Sequence, residues 1–187
     1  DLVIDEAAQV SNLSDAPWES IDPEHHWVDV DLTSMLSGGS RRGIRTSGTI
    51  VAVRPDSGIV ERCPECRRVL RDGACAEHGP QRGEEDLRLR FVIDDGVSNA
   101  SLLMSKDASE AFLGANQESV KEQISKEGRD GFVASLRQRV LAQRLSIKGR
   151  SIVDDQGAML LADEAEQDQT PPADAANQVM QRWGVVL

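Results

Sequence analysis

All three cysteines of this 187-residue chain fall within one stretch, "CPECRRVLRDGACAEHG", from position 63 to 79. One of only three histidines closes the set, giving the spacing C-x2-C-x8-C-x2-H through Cys63, Cys66, Cys75 and His78. Zn²⁺ prefers four tetrahedral ligands drawn from thiolate sulfur and imidazole nitrogen, and two ligands separated by two residues can clasp one ion from a tight turn. "CPEC" and "CAEHG" are two such clasps, with Gly73 and Gly79 permitting tight backbone beside them. Arg62, Arg67, Arg68 and Arg71 lie close in sequence and are expected to offset thiolate charge. A Cys3His shell is closed to substrate. The expectation is therefore a structural Zn²⁺ that staples an insert too small to build its own core. A redox C-x-x-C would leave Cys75 and His78 unexplained. Neither the H-x-E nor the H-E-x-x-H element of a catalytic zinc occurs.

Charge bears on what such a chain binds. The net charge is −11, from 32 acidic and 21 basic residues, which argues against nucleic acid because phosphate neutralisation dominates such binding. Two details offset this. Arg outnumbers Lys by 17 to 4, and Arg is the better fork for phosphate and the better stacker on bases. Acids are spread along the chain with a local run in "VDDQGAMLLADEAEQD", whereas Arg is dense between Arg41 and Arg90. An acidic, lysine-poor surface also suits very salty cytoplasm, where at about 1 M salt the Debye length is about 3 Å and overall charge hardly repels DNA. No apolar run approaches the roughly 18 residues needed to span a bilayer, so no membrane partner is expected. The chain begins at Asp1 without a signal-peptide pattern and is expected to be a cytoplasmic, trimmed segment of something longer.

Alternation and turn chemistry set the organisation. Residues 1–16 read as the tail of a preceding domain, and 17–44 as a linker with a short helix, capped by Asp29 or Asp31 and stopped at Gly38-Gly39. "GIRTSGTIVAVRPDSGIVERC" alternates as a strand with a "RPDSG" turn. In "DLRLRFVIDDGVSNASLLMS", Leu87, Leu89, Phe91 and Ile93 share one face and Arg88, Arg90 and Val92 the other; "DDG" turns the chain into Ala100, Leu102 and Met104. Asp94-Asp95 and Asp154-Asp155 both precede glycine or Gln-Gly in hairpins, so they read as turn formers, not as a catalytic pair. A helical region follows, with Phe112 and Phe132 on apolar stripes and a break at Gly128 to Gly131. "RLSIKGRSIVD" and "GAMLLADEAE" are two more strands. After a linker at 166–172, a helix at 173–187 carries Ala176, Val179, Met180, Trp183 and Leu187 on one stripe.

This order predicts a mainly β fold: a five-stranded OB-fold barrel over 45–165, with a zinc-bearing insert at 61–83 between strands 1 and 2, helices between strands 3 and 4, and a C-terminal helix. The adjacent His25 and His26 read as surface or packing residues. No nucleophile–base pair and no phosphate loop occurs, so an enzyme is not expected.

A zinc knuckle pair placed between the first strands of an OB-fold resembles the C-terminal zinc-bearing domain of the replication protein A large subunit. The resemblance covers about residues 28 to 164. It rests on the knuckle spacing, the basic strand after it and the "DDG" hairpin; the acidic, lysine-poor composition resembles archaeal, salt-loving versions. It implies single-stranded DNA binding in replication, repair and recombination, with Arg54, Arg62, Arg67, Arg68, Arg88, Arg90, Phe91 and Lys106 as the residues expected to face nucleic acid. It also implies contact with partner subunits through 173–187. The chain departs from single-strand binders in its aromatics, with no Tyr, three Phe and three Trp, so Arg stacking and phosphate contacts are expected to carry more of the grip. Phe91 shares its face with Leu89 and Ile93, which favours core packing over stacking. Two alternatives stand beside this reading: an assembly module whose DNA grip lies in upstream domains, and a zinc-ribbon OB protein acting on RNA.

Overall fold

Long alternating segments close into a barrel. The computed structural model describes residues 27–154 and 157–184. In chain order its elements are β1 (Val28–Asp29), α1 (Leu32–Ser37), β2 (Arg41–Val53), β3 (Gly58–Arg62), β4 (Ala74–Cys75), β5 (Gly79–Pro80), β6 (Glu84–Asp94), β7 (Asn99–Met104), α2 (Lys106–Leu113), α3 (Gln117–Val140), β8 (Arg144–Asp154), β9 (Gly157–Gln167) and α4 (Pro172–Arg182). The main sheet runs β1-β2-β8-β9-β7-β6-β3, and an additional β2–β6 pairing closes it. β2 and β3 are two halves of one barrel strand: Val53 pairs with Phe91 and Gly58 with Arg88, both on β6, across the "RPDS" turn. β7 and β9 pair in parallel, and the other barrel contacts are antiparallel. With α2 and α3 between its third and fourth strands, this is an OB-fold barrel.

The inward residues of β6 and β7 make the centre of the core. Leu87, Leu89, Phe91, Ile93, Leu102 and Met104 are fully buried, each worth about 1.5–3 kcal/mol by removal from water. The Phe91 ring tilts against Phe112 at 5.8 Å between centroids. α3 bends at Gly128, whose φ of 75° and ψ of 165° lie outside the helical region; the bend lets Val120 on one limb and Phe132, Val133, Leu136 and Val140 on the other reach the same core. At Gly149, where the β8–β9 register shifts, a Cβ would stand 2.0 Å from the Leu161 carbonyl oxygen, so only glycine fits there.

Residues 28–44 differ from the expected linker. β1 pairs in parallel with β2, and α1, N-capped by Asp31 accepting from the Ser34 N–H at 2.7 Å, buries Leu32 and Met35 completely. The barrel therefore includes these residues. Asp95 ties them to the β6–β7 turn: its carboxylate accepts from the backbone N–H of Leu32 at 3.0 Å, of Val97 at 3.0 Å and of Ser98 at 2.9 Å. Asp95 is itself buried. Asp95→Ala strands these N–H groups, at least one of them in a buried setting, and is expected to lower unfolding stability by about 1–3 kcal/mol, read as a shift of the urea midpoint.

The C-terminal helix docks through part of the expected stripe, with Val179 and Met180 half-buried, and the contact edge is shifted toward Ala175. Ala175, not Ala176, is buried; Val179 lies over Gly96, and Arg182 reaches Asp31 at 3.8 Å. Ala176 is exposed and Trp183 is 53% exposed. Residues 1–16, His25, His26 and Leu187, all named above, lie outside the described residues. No described helix is long and apolar enough to cross a membrane.

Candidate metal centre and nucleic-acid interface

The cysteine segment leaves the end of β3 and returns at the start of β6 as a small folded unit. Cys63 N–H donates to the Arg68 carbonyl at 2.8 Å, and Arg67 N–H donates back to the Cys63 carbonyl at 2.9 Å, with Arg67 at a φ of 62°. Leu70 N–H donates to Glu61, Arg71 and Ala74 exchange two bonds of 3.0 Å, and β4 pairs with β5 through Cys75 and Gly79. Cys63, Leu70 and Cys75 are buried together with Cys66 against them, apart from the barrel core.

The four ligand atoms of Cys63, Cys66, Cys75 and His78 lie within 4.8 Å of one another. His78 Nδ1 is 3.5 Å from Cys63 Sγ and 3.7 Å from Cys75 Sγ, and Cys66 and Cys75 sulfurs are 3.5 Å apart. A tetrahedron with bonds of about 2.0–2.3 Å has edges of about 3.3–3.8 Å, so these spacings fit one metal. Backbone N–H groups of Glu77 and His78 donate to the Cys75 sulfur and pull its thiol from 9.0 to about 6, toward the thiolate that binds metal. The neighbouring Cys75 and Cys63 sulfurs raise the His78 pKa, and Glu65 stands 3.6 Å from its Nε2, placed to orient the ring from behind. The nearby arginines do less for the sulfurs than expected. Arg62 pairs with Asp86, Arg67 with Glu84 and Arg68 with Glu77.

Between this unit, β3, β6 and α3 lies a cleft of about 940 Å³. Arg71, Arg88, Arg90, Lys121 and Arg129 line it, alongside Asp56, Glu61, Asp72 and Glu85. Arg88 and Arg90 point away from the core as expected, but they are not free solvated side chains. Both bond the Asp56 carboxylate, Arg88 Nη2 at 2.5 Å and Arg90 Nη1 at 2.7 Å, and the Arg88 side chain is only 13% exposed. Burial works against the charged form of Asp56; the Arg90 hydrogen bond and the charges of Arg90 and Arg88 outweigh it and hold the carboxyl below 3.8. Lys121 pairs with Glu85 at 2.5 Å, and Arg129 donates to the Ile59 carbonyl at 2.6 Å.

The other residues expected to face nucleic acid divide. Arg54 is exposed at the end of β2 and Lys106 is exposed at the start of α2, neither in an ion pair among the described residues. Phe91 is a correction: it is fully buried, because the even alternation of β6 turns it inward with Leu89 and Ile93, and no base can reach it.

A second surface was not anticipated. Lateral pairing puts Arg90, Leu103, Leu161 and Arg150 in one row across β6, β7, β9 and β8, and Val92, Ser101, Met159 and Ile152 in the next. All face away from the core and all retain solvent exposure. The result is an aliphatic platform with an arginine at each end of one row. Its sequence signal is two unbroken apolar runs, Leu102-Leu103 and Met159-Leu160-Leu161, which break the in–out alternation of a strand whose outer face is merely wet.

No protein-family model matches the chain, and no curated protein matches its sequence. Among solved structures, a replication protein A heterotrimer bound to ssDNA superposes with a TM-score of 0.53 at 12% identity, over 85% of this chain and 40% of that one. Yeast RPA bound to ssDNA gives a TM-score of 0.46 at 16% identity, over 76% of this chain and 85% of that one. The first likeness supports the OB-fold assignment; this chain spans 40% of that chain's length.

Proposed function

We propose that this chain is a single-stranded DNA-binding domain of the replication protein A type, serving replication, repair and recombination by binding and not by catalysis. The observation that carries the reading is the aliphatic platform on β6, β7, β9 and β8 with Arg90 and Arg150 at its ends. Bases splayed from a single strand rest on apolar surface while their phosphates meet flanking guanidinium groups. A duplex keeps its bases inside the stack and gains little from such a surface. The exposed Arg54 and Lys106 would add further phosphate contacts, as would Arg71, Lys121 and Arg129 in the cleft.

Cys63, Cys66, Cys75 and His78 would hold Zn²⁺, whose role is to fold residues 63–83 and fix the wall of the cleft. The edge lengths and the N–H bonds to sulfur support this; the closed shell leaves no position for a substrate. The acidic, lysine-poor composition suits a protein of a high-salt, archaeal cytoplasm.

The platform is tested by Leu103→Asp. A carboxylate there opposes both bases and phosphates, and the affinity for oligo-dT is expected to fall about tenfold or more, the lower part of the ~1–3 kcal/mol that one base contact supplies. Leu141→Asp, on an exposed residue at the end of α3, serves as the control. Equal affinity of Leu103→Asp and the unaltered chain, measured by fluorescence anisotropy, would sink this placement of the strand.

One observation favours a second role alongside the first. α4 leaves Ala176 and Trp183 exposed after docking through Ala175 and Val179. An exposed Trp beside an apolar helix edge suits contact with a partner subunit of the same type, through residues 173–187.

A further inference from the structure

Asp56 lines the cleft beside Arg88 and Arg90. Two guanidinium groups converge on its Oδ2, Arg88 Nη2 at 2.5 Å and Arg90 Nη1 at 2.7 Å. A carboxylate oxygen and a phosphodiester oxygen offer the same kind of acceptor to such donors. The turn that carries Asp56 is pinned, so this is no wandering surface acid. Ser57 is fully buried; its Oγ donates to the Arg90 carbonyl and accepts from the Arg90 N–H, both at 3.0 Å. The Ser57 N–H closes the turn on the Arg54 carbonyl at 3.1 Å. The buried Arg88 Nε has no hydrogen-bond partner among the described residues, so Asp56 does not satisfy the whole guanidinium. The Asp56 side chain is itself 40% exposed, so an incoming anion can reach the pair.

We propose that Asp56 is an internal competitor for nucleic-acid phosphate: it holds Arg88 and Arg90 together in the free protein, and a phosphodiester replaces it on the arginine pair when a strand enters the cleft. This rests on the reading of the chain as a single-strand binder and adds how that site discriminates. A lone anion must displace a carboxylate already held at bonding distance. A strand presents further phosphates to Arg71, Lys121 and Arg129 in the same cleft, and the tethered contacts raise the effective phosphate concentration at the pair. Displacement also leaves a carboxylate that attracts a cation from solution. That uptake cancels about one of the counterions released from the strand, so the unaltered chain has a shallower salt dependence than its phosphate contacts alone would give.

The test is oligo-dT binding by the full chain across a salt series, with Asp56→Asn, Asp56→Glu and the triple variant Asp56→Asn/Arg88→Ala/Arg90→Ala. Asp56→Asn is expected to bind about tenfold tighter at low salt, with a slope of log K against log salt steeper by about one. Asp56→Glu keeps the charge and stays near the unaltered affinity; the triple variant loses the gain. Should thermal melting find Asp56→Asn unfolded, Asp56→Ser removes the same charge and carries the same expectation. Binding by the unaltered chain with no gain or a loss in Asp56→Asn overturns the competitor role and leaves the single-strand reading standing. Absence of binding by both overturns that reading, and the inference with it.

Discussion

Replacing Cys63 with serine is expected to abolish stoichiometric zinc binding and to unfold residues 63–83 while the barrel keeps its fold. The unit buries little of its own: Cys63, Leu70 and Cys75, with Cys66 packed beside them. Burial of one Leu contributes about 1.5–3 kcal/mol, whereas ordering each residue's backbone costs about 1–2 kcal/mol. A segment of this length cannot close that gap without a further contribution. Structural zinc supplies about 10–16 kcal/mol of apparent binding free energy in small zinc-folded peptides, which is the right size. The barrel core shares no buried residue with the unit, so the loss stays local. Elemental analysis should find about one zinc per unaltered chain and none in the variant, and trypsin should gain sites at Arg67, Arg68 and Arg71. A zinc-free variant whose segment stays protected would mean that the metal is not what folds it.

Phe91→Ala should act in the opposite place. It leaves the cysteine unit folded and lowers the stability of the barrel by about 3–5 kcal/mol, the range for a large aromatic removed from a packed core. Phe91 is fully buried and its ring meets Phe112, so the cavity opens at the centre of β6 with little room to collapse. Against a total of about 5–15 kcal/mol that is a large share. Urea unfolding followed by far-ultraviolet circular dichroism gives the number. A stacking residue would behave otherwise, with an unchanged midpoint and weakened DNA binding.

The two variants mark what could be read from sequence and what could not. The clustering of Cys63, Cys66, Cys75 and His78 was legible because its information is local: four residues within one short stretch, whose sulfur and nitrogen atoms the fold brings together. β6 and β7 were legible because alternation and a "DDG" turn are local too. The closure of β2 onto both β6 and β8 is a pairing between distant segments, and strand order alone pointed to it. α1 looked like part of a linker because a six-residue helix has little stability by itself. Its Leu32 and Met35 become core only where Asp95 and the β6–β7 turn meet them. The aliphatic platform was hidden for a related reason. Leu103 and Leu161 are ordinary strand residues until lateral register sets them side by side between Arg90 and Arg150. The expected arginines were found on the expected strand, but their engagement with Asp56 depends on a turn folding back over β6, which no local pattern encodes.

The proposed function requires that this barrel prefer a single strand to a duplex. The most direct measurement is the affinity of the chain for oligo-dT against a duplex of the same length, by fluorescence anisotropy across a salt series. Tighter binding to the single strand is expected at every salt concentration, with log K falling as salt rises. Equal or tighter binding to the duplex, or no binding to either, would contradict the proposed function.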